Sequence, residues 1–233
     1  MKLKPQTAKE PQTLSVCMIA QNSAHCIGRA LESVQDICDE IIVVDGGSND
    51  DTTKIAESFE KAKVYNYPWP GNFGFQKNMS MEKASGDWIL ILDSDEAIGA
   101  NMRKKIRKLI SSARHDCYIF PRYWVAGMQP LSYINSKKLY PDYQQRLFRN
   151  LPKYRYTDER VVHHRFPEGV EAVGKKVKNA HIFHFDLMHN DRRAREEKAR
   201  KYFSLDPRGS HTSHTHYLFE DYPHKIKKCR EKL

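Results

Sequence analysis

"WILILDSDEAIG", residues 88–99, joins a short apolar run, Ile89 to Leu92, to three carboxylates, Asp93, Asp95 and Glu96. A run so short and rich in β-branched side chains predicts a buried strand rather than a helix. An ionised carboxylate buried without a partner is costly, so the acids are expected at the strand's open end. Alternate residues of an extended chain face one side. Asp93 and Asp95 are therefore expected to converge on one divalent cation, Mg²⁺ or Mn²⁺, with Ser94 pointing away. Such ions take carboxylate oxygens together with the phosphate oxygens of a substrate. Glu96 is left to orient a neighbour or cap the next helix.

Working outward from that strand, the same alternation recurs. "LSVCMIA" (14–20), "EIIVVD" (40–45) and "KVYNY" (63–67) read as further strands. Ile27, Ala30, Leu31 and Val34 fall at helical spacing, which predicts a helix over 24–36. Asp50 or Asp51 is placed to cap a second helix, and "FQKNMSMEKAS" reads as a third. Strands alternating with helices predict an α/β, mostly parallel, doubly wound sheet, whose ligands sit beyond the carboxyl ends of the strands. Asp45 ends a strand at that edge, where its carboxylate can accept a base N–H or a ribose hydroxyl. Gly46 and Gly47 after it permit a tight turn.

Beyond a basic helix at 101–113 the pattern changes. "CYIFPRYWVAG", "YQQRLFRN" and "KNAHIFHF" read as short strands, and 190–203 as a charged helix with acids and bases interleaved at i,i+4. That spacing favours a solvated helix over a binding patch. The organisation expected is a loose leader over 1–13, an α/β part over 14–115, a second part over 116–203 and a basic, His-rich tail over 204–233, with a soft boundary near residue 115. The tail's "HTSHTH" lacks a nearby Cys or Asp and favours a polar loop over a metal site.

Charge is unevenly placed. Residues 1–100 hold 9 Lys and Arg against 15 Asp and Glu, a net of −6, and the rest hold 30 against 14, a net of +16. A basic C-terminal half suits an anionic partner: nucleic acid, a membrane surface or a phosphorylated substrate. No apolar run reaches the length of a membrane span and no secretory signal opens the chain, so a cytoplasmic protein is expected. Five cysteines without CxxC spacing point to a reducing compartment. There is neither GxGxxG nor GxxxxGK[ST], which argues against a dinucleotide site or a P-loop.

Taken in order and spacing, "LSVCMIAQNSAHCIGRALESV", "EIIVVDGGSNDDT", "GNFGFQKN" and "GDWILILDSDE" resemble family 2 glycosyltransferases of the GT-A fold. "YPDYQQRLFRN", "VVHH" and "HIFHF" are similar to the branch that includes lipopolysaccharide core β-glucosyltransferases. The resemblance implies a Rossmann-like sheet, with a nucleotide-sugar-binding half over 14–115 and a smaller C-terminal acceptor-side half over 116–203. It also implies inverting transfer from a nucleotide-diphospho-sugar, UDP-linked by preference, to a glycan or glycolipid. By the same resemblance Asp45 recognises the base, with Gln21 and Asn22 beside it and Lys77 near the nucleotide. Asp93 approaches the ribose or the metal, Asp95 binds the metal, and Arg146 helps with phosphate or acceptor. The family's Asn-Glu is Asn22-Ser23 here and its His-Glu is His163-His164, so Asp158, Glu159 and His163 all stand as candidates for the base. His184 is a further candidate ligand for metal or phosphate, against a core histidine. "YLFEDYPHKIKKCREKL" mixes aromatics with lysines, which suits contact with an anionic membrane at the inner face.

Two rivals remain at this point. A nucleotidyltransferase would use the same acids but needs a Gly-rich basic loop after the first strand, which "QNSAHCIG" lacks. A nucleic-acid-binding protein leaves the acids at the strand ends without a task, so nucleic acid is not the expected partner.

Overall fold

A computed structural model describes residues 11–112, 114–157, 174–205 and 217–233. In chain order its elements are β1 (Leu14–Ala20), α1 (Ile27–Glu32), β2 (Glu40–Asp45), α2 (Thr52–Glu57), β3 (Ala62–Asn66) and α3 (Phe73–Glu82). Then come β4 (Trp88–Ile91), β5 (Glu96–Ile98), α4 (Ala100–Ser112), β6 (Cys117–Met128), β7 (Leu131–Asn135) and β8 (Asp142–Arg149). The remainder holds β9 (Lys175–Lys176), β10 (Ile182–His184), α5 (Asp186–His189), α6 (Arg192–Leu205) and β11 (Lys225–Lys228).

The main sheet runs β11-β7-β6-β8-β4-β1-β2-β3. β4, β1, β2 and β3 are parallel, with Ala20 beside Asp45 and Asp45 beside Asn66, so their carboxyl ends share one edge. Every residue of β1, β2 and β4 is buried. That burial on both faces is why these segments are continuous apolar runs. Side chains alternate between two cores: Val16, Met18 and Leu90 pack with α1 and α4, while Cys17, Ile89 and Ile91 pack with Met81 of α3.

β8 joins the sheet antiparallel to β4, and β6 joins antiparallel to β8, so the sheet is continuous across residue 115. β10 lies between β6 and β5, which sets His184 opposite Glu96 on one side and Trp124 on the other. α1 is shorter than its apolar spacing suggests. After Ser33 the chain tightens into i→i+3 turns, Val34 to Leu31 and Ile37 to Val34, yet Val34 remains buried as expected. β5, β7 and β11 carry too little alternation to stand out in the sequence. β11 is an exposed edge strand against β7. No helix among the described residues is long and apolar enough to cross a membrane.

Candidate active site

Three of the parallel strands deliver Gln21, Asp45 and Asp93 to the shared edge. A cleft of about 970 Å³ opens there, between this edge and a wall built from β6, β8, β10 and α6.

On the β1–β2 side the loops are stitched together by their own side chains. Asp45 Oδ2 accepts the N–H groups of Gly47 and Ser48 at 2.9 Å each, and its Oδ1 accepts the Ser48 hydroxyl at 2.5 Å. Gly47 adopts φ +92°, the left-handed conformation that favours glycine and lets this turn close. The Asn22 N–H donates to Ser48 Oγ at 2.8 Å and Asn22 Oδ1 accepts the Asn49 N–H at 2.9 Å, while Gln21 Nε2 donates to the Gly46 carbonyl at 3.0 Å. Gln21 lines the cleft. Asp45 is 1% exposed and organises the turn behind Gln21, outside the cleft's lining.

Asp93 and Asp95 do not converge as strand alternation predicts. The extended run ends at Ile91, and the Glu96 N–H donates to the Asp93 carbonyl at 3.0 Å, closing a turn that sends the two carboxylates to different partners. Ser94 faces the cleft rather than away from it, 3.0 Å from the Ser23 hydroxyl. Both Asp93 oxygens are taken by cations, Lys77 at 2.6 Å and Arg146 at 2.7 Å. Lys77 and Arg146, expected near the nucleotide, therefore meet on this one carboxylate. From Arg146 the network runs to Glu96 at 2.8 Å, then Arg122 at 2.7 Å, then Asp142 at 2.8 Å, where the Trp124 indole also donates. Glu96, whose side chain is fully buried, thus braces two arginines from β5 and caps no helix. Burial alone would raise the Asp93 carboxyl, but Arg146 and Lys77 outweigh it and hold it well below the usual carboxylate range. Burial pulls the Lys77 ammonium down, with Asp93 opposing.

Asp95 points to the other side, its Oδ2 3.2 Å from His184 Nε2. Burial would raise its carboxyl, but His184 and then Lys198 outweigh it and keep the carboxylate ionised. His184 Nδ1 is buried with no hydrogen-bond partner among the described residues. Those residues contain no group of three or more His, Cys, Asp or Glu able to hold a metal alone. One carboxylate plus one imidazole is nevertheless a fitting donor set for a divalent ion that a substrate's phosphates complete. Of the expected metal ligands the structure brings Asp95 and His184 together and commits Asp93 to its two cations.

Asp158, Glu159 and His163, the base candidates, lie outside the described residues, as do the histidines of "HTSHTH". Sequence reasoning missed the cleft face of α6. Glu197, Lys198, Lys201, Tyr202 and Leu205 all line the cleft, so this helix is not merely solvated. Their i, i+1, i+4, i+5, i+8 spacing was a usable signal, masked by the helix's interleaved charges. Arg122 and Asp142 were missed for another reason: nothing local marks them, and only strand register sets Arg122 beside Asp142 and within reach of Glu96.

The family model for glycosyl transferase family 2 matches residues 15–170. A TPR repeat-containing protein of Synechococcus elongatus is 32% identical over 170 residues, covering 72% of this chain and 39% of that protein. An uncharacterized glycosyltransferase of Rickettsia felis is 40% identical over 108 residues, covering 46% of this chain and 38% of its own length. The chain thus spans about two fifths of either relative. The crystal structure of S. aureus TarS matches 89% of this chain and 42% of its own, with a TM-score of 0.53 at 16% identity, a likeness of fold. With the family model covering more than half of the sequence, this chain belongs to glycosyl transferase family 2.

Proposed function

We propose that the chain transfers a sugar, with inversion, from a nucleotide-diphospho-sugar to a glycan or glycolipid acceptor, with UDP as the favoured nucleotide. The observation that carries this reading is the Asp95–His184 pair facing a cleft at the carboxyl edge of the parallel strands. A sheet of this kind presents its ligand site at that edge. The nucleoside would lie against the β1–β2 loops that Asp45 shapes, near Gln21, Asn22 and the Lys77–Asp93 pair, with Arg146 behind Asp93. The diphosphate would extend toward Asp95 and His184. A divalent cation, Mn²⁺ or Mg²⁺, held there would supply positive charge against the leaving diphosphate.

In the transfer, an acceptor oxygen bonds to the anomeric carbon as that carbon's bond to the diphosphate oxygen breaks. The electron pair leaves with the diphosphate, and the acceptor proton passes to a base, for which Asp158, Glu159 and His163 are the candidates. The Glu96–Arg146–Asp93–Lys77 network keeps the edge rigid, so little reorganisation accompanies the reaction. An acceptor like that of lipopolysaccharide core β-glucosyltransferases, and a cytoplasmic protein peripheral to an anionic membrane, complete the proposal.

Asp95→Asn tests it. The shape is kept and the charge that holds a cation is removed, so Mn²⁺ should no longer strengthen UDP binding in calorimetry. Hydrolysis of UDP-sugars should collapse while the fold survives. A variant that keeps both its turnover and its Mn²⁺-enhanced affinity would sink the reading. A thermal-shift panel of UDP, GDP, CDP, ATP and DNA separates this function from nucleotidyl transfer and nucleic-acid binding.

A further inference from the structure

The cleft-facing side of α6 carries two lysines, Lys198 and Lys201, one turn apart. Most other cations of the cleft are already committed to carboxylates: Lys77 to Asp93, Arg146 to Asp93 and Glu96, Arg122 to Glu96 and Asp142. Lys138, also in the lining, sits over the Tyr222 ring. Lys201 is exposed and has no carboxylate partner among the described residues.

Lys198 is held differently. Its Nζ lies 2.5 Å from Asp186 Oδ1, which also accepts from Asn190 Nδ2 at 3.0 Å. The ammonium also sits beside the Tyr217 and Tyr202 rings, 5.0 and 5.8 Å from their centroids. It lines both the main cleft and a recess of about 150 Å³ behind Asp95. An ammonium has three donors, and the one contact with Asp186 leaves two free to meet a ligand.

The helix itself is pinned in place. Tyr202 packs on Phe73 across the cleft at 5.8 Å, and Arg195 donates to the Tyr217 carbonyl at 2.6 Å and pairs with Glu220. Lys198 is therefore a pre-positioned charge on the wall shared with Asp95 and His184, the wall toward which the diphosphate would extend.

Resting on the nucleotide-sugar reading above, we propose that Lys198, with Lys201 beside it, is a phosphate-binding position that α6 supplies to the donor's diphosphate. There it opposes the negative charge that builds as the sugar departs. A phosphate carried by the acceptor is the other source of the same chemistry, and the experiment separates the two.

The full chain, with saturating Mn²⁺, is titrated with UDP and with uridine, and UDP-sugar hydrolysis is followed without acceptor. Lys198→Gln should weaken UDP about tenfold or more and slow hydrolysis about as much, leaving uridine unchanged. Because Lys198 also neutralises Asp186, the double variant Lys198→Gln with Asp186→Asn is the decisive companion. It should melt close to wild type yet remain weak for UDP. Arg193→Ala, on the solvent face with its side chain 87% exposed, should behave as wild type. UDP binding restored in the double variant would mean that Lys198 serves only Asp186, and would overturn the proposal. So would unchanged UDP affinity and hydrolysis in Lys198→Gln, which would take the lysines off the donor's diphosphate; a loss confined to transfer onto a phosphorylated acceptor would then assign them to that phosphate. A wild-type chain that binds none of UDP, GDP and CDP would remove the nucleotide-sugar reading first and this one with it.

Discussion

Glu40 opens β2 at the end of the strand opposite the cleft and is 7% exposed. Its carboxylate accepts from the Ser15 hydroxyl at 2.7 Å and the Ser85 N–H at 2.7 Å, and pairs with Lys63 at 2.7 Å. Burial would raise the Glu40 carboxyl, but these partners outweigh it and bring it down to about 2 from an ordinary 4.5. A depressed folded-state value means stability that is present above about pH 4.5 and lost as pH falls toward 2. With Lys63 itself 58% exposed, solvent screening reduces the contribution to about 2 kcal/mol. Urea midpoints should therefore drop between pH 4.5 and 2, and Glu40→Ala should be weaker at pH 7 with a shallower acid limb. An equally steep limb in the variant would place the acid sensitivity elsewhere. Glu96 is the harder case, because it is fully buried between Arg122 and Arg146. Asp93 and Asp142 still serve the two arginines when Glu96 is lost, so Glu96→Gln should cost about 3 kcal/mol, the lower end for a broken buried pair. Chemical denaturation of the variant checks this, and a cost under 1 kcal/mol would show that the network tolerates the missing charge.

Elements here are held by residues distant in sequence. The N-terminus of α4 has its N–H groups met by Glu231, whose Oε1 accepts from Asn101 at 2.7 Å and Met102 at 3.3 Å. The other oxygen, Oε2, accepts the His181 N–H at 3.0 Å and pairs with His181 Nδ1 at 2.7 Å. One side chain thus caps a helix, anchors the tail that carries β11, and fixes the residue before β10, the strand that delivers His184. Glu231→Ala should cost about 2 kcal/mol, the upper range for a lost cap, since it also strands buried polar groups. Amide exchange at Ile226 to Lys228 should quicken more than exchange in β1 or β2. Uniform change across the sheet would contradict this anchoring. α6 shows the same dependence: its sequence reads as solvated on every side, and only packing against the cleft selects which lysines matter.

At the scale of the whole molecule the charge asymmetry finds a surface. The edge strand β11 is exposed along its length, with Lys225, Lys227 and Lys228 around an Ile226 that is 63% exposed. Together with the net of +16 beyond residue 100, this should draw the chain to vesicles containing anionic lipid. Sedimentation with such vesicles should be strong at 0.1 M salt and lost toward 1 M, as the Debye length falls from about 10 Å to about 3 Å. Binding that is absent or indifferent to salt would leave these lysines as solvated surface.

Composition and periodicity were enough for the parallel half of the sheet, because strands buried on both faces must be apolar throughout. They were enough too for the carboxyl-edge location, since "WILIL" runs into acids that cannot be buried unpaired. The residues of "DSDE" were legible as a candidate site, but not which partner each of them meets. A turn after Ile91, rather than strand alternation, sends Asp93 to Lys77 and Arg146, Asp95 to His184, and Glu96 inward. His184 was ambiguous in sequence between core and ligand, and the register of β10 against β5 and β6 set it on Asp95. Arg122 and Asp142 had no local mark at all, and the helical spacing that Lys198 shares with its cleft-lining neighbours was masked by interleaved charges. Their partners lie 26, 20 and 12 residues away along the chain, and contacts between separate elements exist only once the sheet has closed and the helix has docked.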